Sequence, residues 1–387
     1  MLAVVNGRIY TMVGTIIEKG IVLIKAGKIE AVGQHIPIPK DYKIINAEGK
    51  HVLPGFIDIH AHLGIFEESV GEIGADANER HDPVSPHLRA IDAINPMDQA
   101  FQDALAAGIT CIVSSPGSKN VIGGQCVAIK TFGTVIDKMI VKEPAGLKVA
   151  FGENPKMAHG GQGKKPSTRM SIAGLIRLAF VESINYRTRT RPNGPLGECV
   201  IRDLKLEVFT NVLDHKIPLV AHAHRADDII TAIRIANEFN LQLIIIHGTE
   251  GRFVTAELVE SNIPVVVGPL LGSRSKVELG GLDPKTAGIL ANRGVKTALT
   301  TDHPIVPIQY LPLCAALAVK EGMKEEDALA AITRNAAEII GIEDRVGSLV
   351  AGKDGDVVVW DGHPLDIRSA PSKVIVNGKV VYMQSDS

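Results

Sequence analysis

His60 and His62 stand two apart at the end of the run FIDIHAH. In an extended strand, residues i and i+2 leave the same face, so both imidazoles can converge on one point. Two neutral imidazoles on one rigid strand end are half of a divalent-metal site. Three more polar residues occupy equivalent places. His222 ends IPLVAH, His247 ends LQLIIIH, and Asp302 ends VKTALTTD. A lone His-x-His pair is more often structural than ligating. Four histidines and an aspartate that each terminate an apolar run are a different matter. Burying Asp302 without a partner would cost several kcal/mol, and a shared cation removes that cost. The chemistry this pattern implies is that of a bound divalent metal ion.

The elements that must position these side chains are legible as short apolar runs: 56–62, 110–115, 147–152, 217–222, 241–247, 263–268 and 296–301. Between them lie stretches with helical periodicity, such as 96–107, 171–187, 227–239 and 325–340. Buried strands alternating with helices indicate parallel βα units. Seven strands are clear; the eighth is either 125–130 or hidden within 154–216. In a parallel barrel all strand C-termini open on one face, where the five ligands would meet. The two ends of the chain differ in texture. Residues 2–5, 20–24 and 28–32, and then 356–360, 372–376 and 379–382, are short β pieces joined by tight turns such as Asn377-Gly378. Too small to bury cores separately, they are expected to pair. The fold expected is α/β: a distorted (β/α)8 TIM barrel over residues 54–345, with a small β-sandwich domain formed by both chain termini, 1–53 and 346–387.

Composition narrows the function class. The 387 residues carry 41 basic and 43 acidic side chains, a net charge of −2. That balance argues against a general nucleic-acid surface, and 4% aromatics argue against base-stacking platforms. Cys111, Cys126, Cys199 and Cys314 are widely spaced, which supports neither a disulfide framework nor a zinc knuckle. No apolar run approaches the ~18 residues of a membrane span. The expectation is a cytoplasmic protein acting on a small molecule, without nucleic-acid or membrane partners; a homo-oligomer is allowed.

HVLPGFIDIHAHLG, a single histidine on each of two later strands, TTDHP, and the closing string ITRNAAEIIGIEDRVGSLVAGKDGDVVVWDGHP together resemble the amidohydrolase superfamily of metal-dependent hydrolases, most of all its imidazolonepropionase-related members of unassigned substrate. The resemblance covers essentially the whole chain. It implies a distorted barrel with a terminal β-sandwich and one or two divalent metal ions, with zinc first and manganese or iron as alternatives. It also implies cleavage of a C–N bond in an amide or cyclic amide by metal-activated hydroxide. Binuclear members share a bridging carboxylate, either a carboxylated lysine or a glutamate. LKVAFGENPK offers both, Lys148 in mid-strand and Glu153 at the strand end, and Glu153 is favoured because it is already ionised. The metal set expected is His60, His62, Glu153, His222, His247 and Asp302.

Asp302 is the expected proton acceptor and donor. His224 is the expected donor to the oxyanion, with a rim position as its plainer alternative. Asn154, Lys156 and His303 are candidates for substrate binding, although His303 should point away from Asp302. The remaining histidines (His35, His51, His81, His87, His159, His215 and His363) sit in polar contexts and read as solvated, His81 and His87 lying in a loop expected over the barrel mouth. Arg187, Arg189 and Arg191 read as a solvated turn, Gly123-Gly124 as a turn, and the Gly-rich stretch after Ala158 fails Walker A spacing. A mononuclear deaminase is less favoured, because no glutamate follows His222 within a few residues. A dipeptidase or N-acyl amino acid hydrolase, and a catalytically silent scaffold barrel, complete the alternatives.

Overall fold

A computed structural model describes residues 1–190 and 201–384; Arg191 and Cys199 lie outside the described residues. Five strands open the chain: β1 (Leu2–Ile9), β2 (Ile17–Lys25), β3 (Lys28–Gly33), β4 (Lys43–Asn46) and β5 (His51–Pro54). Eight follow: β6 (Phe56–Ala61), β7 (Ile109–Ser114), β8 (Ile122–Lys130), β9 (Ile140–Ala150), β10 (Leu219–Ala223), β11 (Leu243–His247), β12 (Val265–Val267) and β13 (Thr297–Leu299). The chain closes with β14 (Val357–Trp360), β15 (Pro371–Val376) and β16 (Lys379–Met383). The helices, in order, are α1 (Gln99–Ala106), α2 (Glu153–Gly160), α3 (Arg169–Thr190), α4 (Leu204–Leu213), α5 (Ala226–Phe239), α6 (Thr255–Glu260), α7 (Lys285–Asn292), α8 (Leu311–Lys320), α9 (Glu325–Ala331) and α10 (Arg334–Ile340).

Among the described residues, β6 to β13 pair in sequence order as one eight-stranded sheet. It curls until its edge strands β6 and β13 approach. Just past the strand ends the His62 N–H donates to the His303 carbonyl at 2.9 Å, and beneath it Asp58 takes both the Thr301 hydroxyl (2.7 Å) and the Thr301 N–H (2.9 Å). The nearly closed sheet has an apolar interior that includes Ile57, Val113, Val220, Ile244, Ile246, Val266 and Ala298. Outside it, the helices pack on a larger core containing Leu147, Val149, Leu219, Ala221 and Ile245. Alternation along each strand divides its side chains between these two cores.

The eighth strand is β8, whose span takes in residues 125–130. It departs from the all-parallel expectation, because it runs antiparallel to both β7 and β9. Its first glycines, Gly123 and Gly124, lie in the strand rather than in a turn; a Cβ on Gly124 would meet the Leu88 carbonyl oxygen at 2.5 Å. The stretch 325–340 is two helices, α9 and α10, and Thr333 between them leaves helical geometry (φ −139°, ψ −98°).

The terminal strands pair across the whole chain length. β14 lies antiparallel to β5, and β5 lies parallel to β1. They form one hydrogen-bonded sheet in the order β16-β15-β14-β5-β1-β2-β3, with β4 also on β1. One face buries Val4, Ile9, Val22 and Ile375; the other covers Ala3, Val5, Leu23 and Tyr42. Lys130, at the end of β8, joins the two sheets. Its buried ammonium lies 2.9 Å from Asp354 and 2.6 Å from Asp356. Cys111, Cys126 and Cys314 are free and buried. No helix of the described residues is long and apolar enough to cross a membrane.

Candidate metal centre

Two groups of ligand atoms stand at one end of the barrel. His60, His62 and Asp302 form one, and His222, His224 and His247 the other; within each, the atoms lie within 4.8 Å of one another. The backbone is bent to achieve this. A register irregularity between Asp58 and Ala61 re-aims the end of β6. On β11, Ile244 and Ile246 face the barrel interior, so regular alternation would send His247 outward. Its left-handed backbone (φ +74°) interrupts that alternation, and Asp302 is left-handed as well (φ +54°). Such conformations cost of order 1–3 kcal/mol each and gather where function requires them.

The orientation of the rings is set from behind. His62 Nδ1 donates to the Ser115 carbonyl at 2.6 Å, and His247 Nδ1 to the Gly268 carbonyl at 2.7 Å. A carbonyl can only accept, so Nδ1 carries a proton in both rings, and Nε2 is the atom turned towards the site. His224 Nδ1 is held 2.7 Å from the Thr249 hydroxyl. Asp302 Oδ1 is 3.3 Å from His60 Nε2 and 3.4 Å from His62 Nε2. Two imidazole nitrogens and a carboxylate oxygen face each other there, an arrangement that a proton or a metal cation between them makes favourable. By donor chemistry, then, the residues fit divalent metal ions.

Electrostatics agrees with that fit. Burial, reinforced by Lys148, holds His60 well below the usual imidazole range. Burial and the neighbouring His247 do the same for His222 and His224. His247 itself is brought down to about 4, chiefly by burial. Burial pushes Asp302 up, but His247 and the contacts with His60 and His62 outweigh it and hold the carboxyl well below its ordinary value. At neutral pH His60, His222, His224 and His247 are neutral imidazoles and Asp302 is an ionised carboxylate, the forms that ligate metal.

Lys148 is buried, with Nζ 3.2 Å from His60 Nε2. Leu147 and Val149 belong to the outer core, and this alternation directs Lys148 into the barrel between the two groups. Burial lowers its ammonium to about 8. Glu153, expected as the bridging carboxylate, is placed elsewhere. It begins α2, and its Oε2 accepts the Glu278 N–H at 3.1 Å. Among the described residues it joins neither ligand group.

Above the metal groups lies a cavity of about 1140 Å³ whose wall includes His60, His62, His222, His224, His247 and Asp302. Asn154 lines it, donating to the Ser118 hydroxyl at 2.8 Å and accepting from Lys276 at 3.0 Å. Lys156 and His303 are not on its wall. His303 is buried behind the site, where its Nδ1 accepts the Ile308 N–H at 3.2 Å. His159, read as solvated, is buried on the cavity wall, 3.2 Å from Asn120. From the loop after β6, Asn78, Glu79 and Arg80 reach the cavity, while His81 and His87 do not line it. Arg187 instead pairs with Asp214 at 3.0 Å.

Sequence reasoning missed Glu278 altogether. It is buried, with Oε1 3.4 Å from His222 Nε2, 3.6 Å from His224 Nε2 and 2.5 Å from Lys276 Nζ. Burial raises its pKa, but His224 and Lys276 outweigh that and keep it below the usual carboxylate value. For Lys148 a signal did exist in the alternation of Leu147 and Val149; for Glu278 there was none.

The Amidohydrolase family model matches residues 279–382. Over nearly its full length the chain resembles a solved amidohydrolase from Thermotoga maritima MSB8: 46% identity, TM-score 0.96, and coverage of 99% of this chain and 100% of that one. Curated relatives include the amidohydrolase tasK of Hapsidospora irregularis, 27% identical over 94% of this chain. The chain spans only 40% of the length of that relative. An imidazolonepropionase of Brucella anthropi is 22% identical, with 89% of this chain and 88% of the relative covered. The protein belongs to the amidohydrolase superfamily.

Proposed function

We propose that the protein is a metal-dependent hydrolase of C–N bonds in small amides or cyclic amides. The observation that carries this is the pair of ligand groups at one barrel mouth, opening into a single cavity. His60, His62 and Asp302 hold one divalent cation, zinc by preference; His222, His224 and His247 hold a second. His224 thus stands as a ligand rather than as the oxyanion donor. Lys148, carboxylated on Nζ, takes the bridging place that Glu153 does not reach. When bound, two such ions supply Lewis-acid polarisation of a carbonyl and bring the pKa of water towards ~7.

The protein's own groups do the rest. Asp302 meets the imidazoles through Oδ1, leaving Oδ2 to accept the proton of the attacking water and deliver it to the departing nitrogen. Asn154 and Lys276 on the wall bind polar substituents. The cavity exceeds the ~300–1,000 Å³ of ordinary ligand pockets. It carries both charge signs, with Arg80, Lys119 and Lys276 beside Glu72 and Glu79. Those features support polar substrates of dipeptide size or larger, and the relationship to an imidazolonepropionase supports cyclic amides. Residues 54–345 form the catalytic unit in this proposal.

Screening purified, zinc-loaded protein against N-acyl amino acids, dipeptides and cyclic amides tests the assignment. Asp302→Asn is expected to lower kcat by about 10²–10⁴ with the hydrolysed class, with the thermal melt intact. A near-normal rate in that variant would remove Asp302 from the proton path.

A further inference from the structure

The two ends of the site resemble each other more than the sequence suggests. Each presents a His-x-His pair on a strand end, His60/His62 from β6 and His222/His224 from β10, and each pair faces one carboxylate oxygen. Bonds of about 2.0–2.2 Å at tetrahedral angles set neighbouring ligand atoms about 3.3–3.6 Å apart. Asp302 Oδ1 lies 3.3 and 3.4 Å from its two Nε2 atoms. Glu278 Oε1 lies 3.4 and 3.6 Å from His222 and His224. Both carboxylates sit at a separation that a shared cation can bridge, and the His222–Glu278 contact is also at hydrogen-bond distance.

We propose that Glu278, from the loop after β12, is a ligand of the second cation beside His222 and His224, the two imidazoles it faces; it stands outside the set in which His222, His224 and His247 lie within 4.8 Å of one another. This rests on the metal-dependent reading above and adds a ligand to it. Glu278 is anchored for the task. Its Oε2 accepts the Glu153 N–H at 3.1 Å, while the Glu278 N–H donates to Glu153 Oε2, also at 3.1 Å. This reciprocal pair fixes the carboxylate with Oε1 turned to the imidazoles. Gly152 makes room: a Cβ there would stand 2.7 Å from Glu278 Oε2. Lys276, 2.5 Å from Oε1, balances the charge of a buried carboxylate and leaves its other lone pair for the ion. In this arrangement Glu153 serves the centre as a brace of Glu278.

The test counts ions without using turnover. Full-length protein, stripped with chelator and dialysed against zinc, is analysed by plasma mass spectrometry and titrated against a chromophoric chelator. Wild type should hold two zinc ions. Glu278→Gln should keep one and bind the second at least ten-fold more weakly, whereas Asp302→Asn should lose the other. Glu153→Gln keeps a side-chain oxygen to accept the Glu278 N–H, leaves the imidazoles untouched and should keep both. Two ions with unchanged affinities in Glu278→Gln would overturn this proposal while leaving the metal-dependent reading in place. A wild type that binds no zinc would overturn both.

Discussion

Lys130 is the sharpest point at which to test how the barrel is held to the terminal sheet. Because β8 runs antiparallel, its C-terminal residue points away from the histidines and enters the seam between sheets. There the ammonium is buried between Asp354 at 2.9 Å and Asp356 at 2.6 Å. Asp354 also takes Lys28 at 2.5 Å and Arg345 at 2.9 Å, and Asp356 accepts the Asn377 N–H at 2.9 Å. Lys130→Met keeps the stem volume but leaves two buried carboxylates short of a cation, a loss of about 3–5 kcal/mol. With ~2.1 cal/mol/K of unfolding entropy per residue, 387 residues give about 0.8 kcal/mol/K, so Tm should fall by about 4–6 °C. Scanning calorimetry measures it, and the zinc content should not change. The pH dependence has a definite sign. Burial raises the Asp354 pKa, but Lys130 and Lys28 bring it below the ordinary value; its contribution is present above the unfolded carboxyl range and lost as pH falls through the lowered one. Burial alone would lower Lys130, but Asp356 raises it beyond the ordinary lysine value; that contribution is complete below the unfolded value and lost as pH rises through the folded one. The gap between variant and wild type should therefore be widest near neutrality and shrink at both extremes. A Tm within 1 °C of wild type at pH 7 would refute the clamp.

Gly152→Ala forces a side chain into a left-handed position (φ +84°) and against Glu278 Oε2; it should cost about 1–3 kcal/mol and loosen the second zinc, read by melt and chelator competition. Lys148→Ala should lose activity and binuclear zinc together. Added acetate or formate should restore part of both, because a small carboxylate can enter the space the side chain leaves; full activity without rescue would end the bridging role.

How much of this was written in the sequence depends on whether the information is local. Runs such as LQLIIIH state their own burial, so seven barrel strands and five strand-end ligand candidates were visible without coordinates. Strand direction is not carried by hydrophobicity. Nothing in IGGQCVAIK distinguishes a parallel from an antiparallel β8; the return of the chain after only Ser115–Val121 does that, since parallel strands need a crossover of a dozen or more residues. At the sequence level charge favoured Glu153 although it differs in parity from Lys148; in the structure the alternation of Leu147 and Val149 turns Lys148 into the barrel. An ionised glutamate is the easier ligand in isolation, yet its carboxylate is occupied by the Glu278 backbone. Glu278 marks the limit of motif reasoning. The sequence argument weighed a glutamate a few residues beyond His222 only as a deaminase's proton shuttle, whereas the structure sets Glu278, 56 residues away, beside that histidine. It arrives through a loop whose path depends on the reciprocal Glu153–Glu278 bonds, a pairing between residues 125 apart. Ligands on strand ends can be read from periodicity because the strand fixes their direction. A ligand delivered by a loop becomes visible only once the fold has set where that loop can go.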